Sequence, residues 1–372
     1  MKKFVFLFCF VLLFSGCNNS TPAENSNFDS NTSSNTEEQD FFNSIDLEVL
    51  KDINREVKAS CNERFFETEN SLYYNIFKND YRGSIVVQLE KGKNKKIVYN
   101  SKMYCHTFFR NNDKIYFEEA RLFEDEKLND SKLISIDTET QKSYSFSLER
   151  KDISGYYPIS GERWILEIWR VRDASEYGIY DYDIIIRTAE GEYITLAENV
   201  SQYTIIEDHI YFITYEEKEK LYFINLKSGY EKKIVYNELE AERLNNFYIG
   251  NEKLVIERRD MKTIIYDFKN KETILIDNKY SLSTMNFINN KFYFFQDYDI
   301  CYTDDNFNSI KILFAREKNG FEPSTALTIF DEYIYFFDYF VEHKSHEDID
   351  IICRIKLDGT SLEVVDQSCN YK

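Results

Sequence analysis

Short apolar–aromatic runs recur along the chain, each directly after an acidic or amide turn. The first three read Asn70-Ser71-Leu72-Tyr73-Tyr74, Asp113-Lys114-Ile115-Tyr116-Phe117 and Glu162-Arg163-Trp164-Ile165-Leu166. The pattern returns as Asp208-His209-Ile210-Tyr211-Phe212, Glu252-Lys253-Leu254-Val255-Ile256, Asn290-Lys291-Phe292-Tyr293-Phe294 and Glu332-Tyr333-Ile334-Tyr335-Phe336. Between the fourth residues of successive repeats the spacings are 43, 49, 46, 44, 38 and 42. A period in the low forties built only from strands predicts the blades of a β-propeller. The expected fold is therefore all-β, a seven-bladed propeller of four-stranded blades over residues 61–372.

Each repeat divides into four strands. In the fourth these are Tyr203–Glu207, Ile210–Tyr215, Leu221–Leu226 and Lys232–Tyr236; in the seventh, Ala326–Phe330, Ile334–Tyr339, Ile349–Leu357 and Leu362–Asp366. A blade buries both faces only when its neighbours pack against it, so the array is expected to close into a ring. Two third strands end in a polar–Gly turn, Arg354-Ile355-Lys356-Leu357-Asp358-Gly359-Thr360 and Leu221 to Gly229. Together with Tyr335-Phe336-Phe337-Asp338, they resemble the YWTD propellers of the low-density-lipoprotein-receptor family, and a bacterial surface-protein family of unknown function built on that fold. Phe stands where that motif has Trp, and the motif's Thr is absent. The resemblance implies the fold and assigns no functional residue.

The segment before the repeats changes where the protein is expected to work. Lys2 and Lys3 precede an 11-residue apolar core, Phe4 to Phe14, too short to span a bilayer. Leu13-Phe14-Ser15-Gly16-Cys17 then resembles the lipobox of bacterial lipoproteins. That resemblance implies a signal peptide over 1–16 and a lipidated Cys17, hence a palmitate-type anchor to a membrane of the bacterial cell envelope, facing outside the cytoplasm. Residues 17–40 are rich in Asn, Ser and Thr and read as a disordered tether. Phe41, Ile45, Val49, Ile53 and Val57 fall every fourth residue, which predicts a short amphipathic helix over 41–60, with Asp40 as its N-cap.

Composition narrows the partners. The net charge is −19, and losing Lys2 and Lys3 with the signal leaves about −21, so phosphate backbones are repelled and nucleic acid is excluded. Aromatic residues make up 17% of the chain, as half-buried strands require. Beyond Cys9 and Cys17 the chain carries Cys61, Cys105, Cys301, Cys353 and Cys369. Cys61 and Cys369 flank the repeats, and ring closure in an oxidising compartment makes them a candidate disulfide, the alternative being buried thiols.

Candidate chemistry is sparse. There is no phosphate-cradling Gly-rich loop, no Gly-x-Ser-x-Gly elbow, no His-Glu-x-x-His pair and no Cys-x-x-Cys, so no cofactor or metal is expected. The connections between second and third strands differ in length: Glu119–Ser131, Arg170–Tyr182 and Tyr339–Asp348 are long, and the fourth to sixth are short. The long ones should form one raised arc. Trp169, Arg170, Arg172, Tyr177, Tyr180 and Tyr182 on it, with His343 and His346, form the candidate binding surface. The leading expectation is a lipid-anchored, monomeric, non-enzymatic propeller that recognises an extracytoplasmic protein, peptide or glycan. The alternatives are a propeller-type glycan hydrolase or lyase, and an accessory sensor subunit of an envelope complex.

Overall fold

In the computed structural model the described residues are 64–78, 83–111, 114–120, 132–147, 153, 155–159, 161–171, 180–206, 208–214, 220–237, 244–258, 262–276, 284–296, 298–315, 323–338 and 350–371. They lie within one compact unit, Thr36–Lys372. Among them every regular element is a β-strand, apart from one 3-10 turn at Ser368–Asn370. The expected signal, tether and helix, with Cys17 and Cys61, lie outside the described residues.

The strands form six antiparallel sheets, five of four strands and one of seven. Each four-stranded sheet is a meander of consecutive strands, for example Phe65–Glu67, Ser71–Phe77, Ser84–Glu90 and Lys96–Asn100 in the first repeat. The seventh repeat reads Pro323–Phe330, Tyr333–Asp338, Ile351–Lys356 and Glu363–Gln367, within a few residues of the sequence reading. The seven-stranded sheet holds the third and fourth repeats. It is continuous because one 14-residue strand, Tyr193–Ile206, serves as the outer strand of the third repeat and the first strand of the fourth. Register shifts at Tyr182/Ile184 and Val200/Gln202 bend the pairing on either side of it, as bulges do.

The turn chemistry explains the acidic and amide residues that open four of the repeats. Gly161-Glu162, Asn251-Glu252, Asn289-Asn290 and Asp331-Glu332 all have positive φ at both residues. This is the conformation of a two-residue hairpin whose twist matches its strands. At the other hairpin, between third and fourth strands, an Asp side chain caps the turn. Asp137 Oδ1 accepts from the Thr140 N–H at 2.7 Å, Asp304 Oδ1 from Asn308 at 3.0 Å, and Asp358 Oδ1 from Thr360 at 2.9 Å.

Because strand residues alternate between faces, the second strand of each repeat feeds two cores. Tyr73 packs with Ile115 and Phe117 of the second repeat, whereas Leu72 and Tyr74 pack with Tyr335, Phe337 and Ile352 of the seventh. Tyr116 joins the third repeat's core with Ile165 and Ile184. Tyr211 and Phe223 meet Phe247 and Ile256, Val255 meets Phe292 and Phe294, and Tyr293 meets Ile334 and Phe336. The interfaces form a cycle: the last repeat packs on the first. Each fully buried Tyr or Phe contributes about 1.5–3 kcal/mol, so the cycle is held mainly by these rings.

The seam where the cycle closes shares no strand between the chain's two ends among the described residues. Side chains seal it. The Arg64 guanidinium makes a two-pronged contact with Asp350, at 2.9 and 2.5 Å, and lies 3.6 Å from the Phe337 ring and 4.4 Å from the Phe77 ring. Asp366 accepts from Tyr74 at 2.9 Å, Lys95 at 2.5 Å, Asn370 at 3.0 Å and Tyr371 at 2.7 Å. Cys369 follows the last strand, and its sulfur accepts from Gln367 Nε2.

Candidate functional site

The expected binding arc falls partly on strands. Strands Arg163–Val171 and Tyr180–Arg187 pair Trp169 with Tyr182, Arg170 with Asp181 and Val171 with Tyr180. Trp169, Arg170, Tyr180 and Tyr182 are thus strand residues rather than loop residues. Tyr182 is half-buried, with its ring 6.2 Å from Tyr203 in an edge-on contact. Arg172, Tyr177, His343 and His346 lie outside the described residues.

The second strands of the repeats carry a set of buried polar residues that the motif reading passed over. The fifth residue of each second strand turns towards the following repeat, and in four repeats it is polar and buried: Asn75, Glu118, Glu167 and Glu257. In the other three it is Ile213, Phe295 and Phe337. Asn75 donates to the Cys105 carbonyl across the first seam. Glu118 and Glu167 act on one another across the next. The readable signal was a carboxylate directly after four residues of core strand.

Glu167 accepts a hydrogen bond from the Tyr203 hydroxyl in the fourth repeat. Tyr157 stands edge-on to Tyr203 at 6.1 Å. Opposite Glu167 in the register is Gly155, where a Cβ would come within 3.0 Å of the Tyr157 hydroxyl and 3.2 Å of Glu167 Cβ. Glycine here leaves room for the Tyr157 ring beside Tyr203. Asp183, also buried, lies on the neighbouring strand.

The electrostatics single out one of the two acids. Burial, with the Glu167 charge adding to it, pushes the Glu118 carboxyl up to about 8. Burial and the Glu167 carboxylate raise the Tyr203 hydroxyl far above its ordinary range. A buried carboxyl within electrostatic reach of a second acid, holding its proton at neutral pH, can serve as the acid half of an acid–base pair. By contrast, Cys105 and Cys353 are buried and pushed up to about 12, so neither is a ready nucleophile. Among the described residues no group of His, Cys, Asp and Glu is arranged to hold a metal ion.

No family model matches the chain, and no curated protein does. Solved structures match by fold. Puromycin hydrolase aligns with a TM-score of 0.55 at 7% identity, covering 86% of this chain and 55% of its own. An acylaminoacyl peptidase of Pyrococcus horikoshii aligns with a TM-score of 0.53 at 12% identity, covering 87% and 54%. The β-propeller domain of the Trilobed protease from Pyrococcus furiosus aligns at 0.36 and 12% identity, covering 81% and 79%. The cycle of up-and-down sheets is that of a β-propeller, and the alignments to puromycin hydrolase and the acylaminoacyl peptidase agree with that fold. The chain spans about half the length of the two hydrolases. They overturn the leading expectation of a non-enzymatic binder. These two neighbours are named as a hydrolase and a peptidase, so the hydrolase or lyase alternative takes the place of that expectation as a proposal.

Proposed function

We propose that this chain is a seven-bladed propeller acting as a glycan hydrolase, with Glu118 as proton donor and Glu167 as the base. The count of seven is supported by Tyr193–Ile206: counted in both repeats it serves, it gives every repeat four strands. The observation that carries the activity is the buried Glu118–Glu167 pair. A carboxyl held protonated to about 8 can protonate a leaving glycosidic oxygen. A neighbouring carboxylate, oriented by Tyr203, can take the proton of the attacking water.

Incubation with a panel of polysaccharides, read by new reducing ends, tests the reading. Glu118→Gln and Glu167→Gln are each expected to lower turnover at least about 100-fold, the usual scale for acid–base catalysis, without loss of fold. A cleaved substrate whose rate ignores both substitutions refutes it, as does a panel with no cleavage. Products carrying an unsaturated ring would instead assign a lyase.

We further propose that the propeller is held at the outer face of a bacterial membrane by lipid on Cys17, with residues 17–40 as its tether. The lipobox-like sequence supports this. Cys17→Ser should then move the protein from the membrane fraction to the soluble exported fraction, and an unchanged distribution removes the anchor.

A further inference from the structure

Facing rows of the second and third repeats leave aromatic rings in solvent. Tyr144 is 50% exposed, Phe146 38% and Tyr193 39%. These are three of the four exposed large aromatic side chains among the described residues, the fourth being Tyr298. Residues paired directly across an antiparallel ladder share a face. Tyr144 thus continues the row of Tyr116 and Ser135, and Phe146 the row of Glu118 and Leu133. On the facing sheet one row runs Pro158, Trp164, Arg187, Tyr193. Trp164 lies edge-on to Tyr116 at 5.8 Å and 6.4 Å from Phe146, so the two rows face each other.

Cations accompany the rings. Lys114 Nζ lies 5.8 Å from the Tyr144 ring centre, and Arg187 sits between Trp164 and Tyr193 in its row. A protein partner's aliphatic core would be matched by aliphatic side chains, which this surface lacks. Flat rings, two of them with hydroxyl tips, suit a pyranose, whose C–H face stacks on an aromatic ring while its edge stays hydrated. A lysine and an arginine beside these rings suit carboxylates on that sugar.

We propose that this aromatic row is a binding subsite for an acidic glycan. Uronate rings stack on Tyr144, Phe146 and Tyr193, and their carboxylates meet Lys114 and Arg187. The site rests on the glycan reading above, because Glu118 lies at the inner end of the Phe146 row. Binding is nevertheless measurable without turnover.

The test titrates the full chain carrying Glu118→Gln with a galacturonate hexamer, a neutral galactose hexamer and a proline-rich peptide, by calorimetry. The acidic hexamer should saturate, with the neutral one about tenfold weaker or more. Tyr144→Ala with Tyr193→Ala should weaken acidic binding about tenfold or more. Arg187→Gln should erase the preference for acid. Unchanged melting curves establish that these variants fold. No saturable binding of the acidic hexamer overturns the subsite, as do equal affinities in the double variant or binding of the peptide alone. Cleavage by the native chain with binding unchanged in the double variant would sink the subsite and leave the hydrolase standing. Binding at the row with no cleavage of any glycan would do the reverse.

Discussion

Replacing Arg64 with Met tests whether side chains alone close the ring. The methionine keeps most of the apolar stem between Phe77 and Phe337 but removes the charge. Arg64 and Asp350 have side chains only 15% and 8% exposed, so the substitution leaves a buried carboxylate with the Phe77 N–H at 2.7 Å as its remaining cross-strand donor. Breaking one side of a buried ion pair costs about 3–5 kcal/mol. Loss of the two cation–π contacts adds about 1 kcal/mol or more. With an unfolding entropy of about 2.1 cal/mol/K per residue over roughly 300 folded residues, each kcal/mol is worth about 1.5 °C of melting temperature, so a fall of about 6–9 °C is expected. The assay is thermal and urea unfolding of Arg64→Met, Asp350→Asn and the double variant. In the double variant no charge is buried alone, so it should recover much of the loss, with a coupling energy of at least about 1 kcal/mol. A single variant that melts like the native chain, or a cycle with no coupling, would refute the idea that this pair closes the ring.

Three further outcomes follow from the same physics. Glu118 has a folded-state value near 8 against 4.5 for an ordinary glutamate. Folding therefore retains a proton that the unfolded chain releases, and this contribution is full below pH 4.5 and declines as the pH rises towards 8. Glu118→Gln should remove that decline, up to about 1.4 kcal/mol per pH unit, in urea titrations at successive pH values. Asp366 behaves oppositely: burial raises its carboxyl, but hydrogen bonds from Lys95, Tyr371, Asn370 and Tyr74 outweigh burial and hold it below its usual range. Its contribution is present above the ordinary carboxylate range and lost as the pH falls through its lowered value, so Asp366→Asn should be less stable at pH 7 and flatter in acid. Gly83 has φ +132, and a Cβ there would overlap the Ser101 carbonyl. Gly83→Ala should cost about 1–3 kcal/mol or more by the same unfolding assay, which a merely flexible glycine would not.

The repeating strands were legible because the information is local. A turn that needs positive φ, followed by alternating core residues, is written in five or six adjacent positions. The sequence boundaries of the seventh repeat accordingly fall within a few residues of those found. What joins the repeats was not legible. Arg64 and Asp350 are 286 positions apart, and nothing near either residue announces the other. The merging of third and fourth repeats through Tyr193–Ile206 was hidden for a related reason. A strand that changes partners midway still reads as two strands, because the polar Glu198-Asn199 pair, with Asn199 at positive φ, looks like a turn. The carboxylates at the fifth strand position were visible as letters. Their meaning was not, since it depends on which face of which neighbour they meet.

The shared strand also bears on the order of folding. Sheets joined by one continuous backbone need no long loop to close before they pair, so the third and fourth repeats form the segment whose contacts lie nearest in sequence. The opposite seam, which unites the chain's two ends, carries the highest entropic cost of closure and is expected to form last. Substitutions at Arg64 should then speed unfolding with little effect on the folding rate. Substitutions around Val200 and Tyr203 should slow folding itself. The strand that spans two repeats is, in kinetic terms, the place where the ring begins.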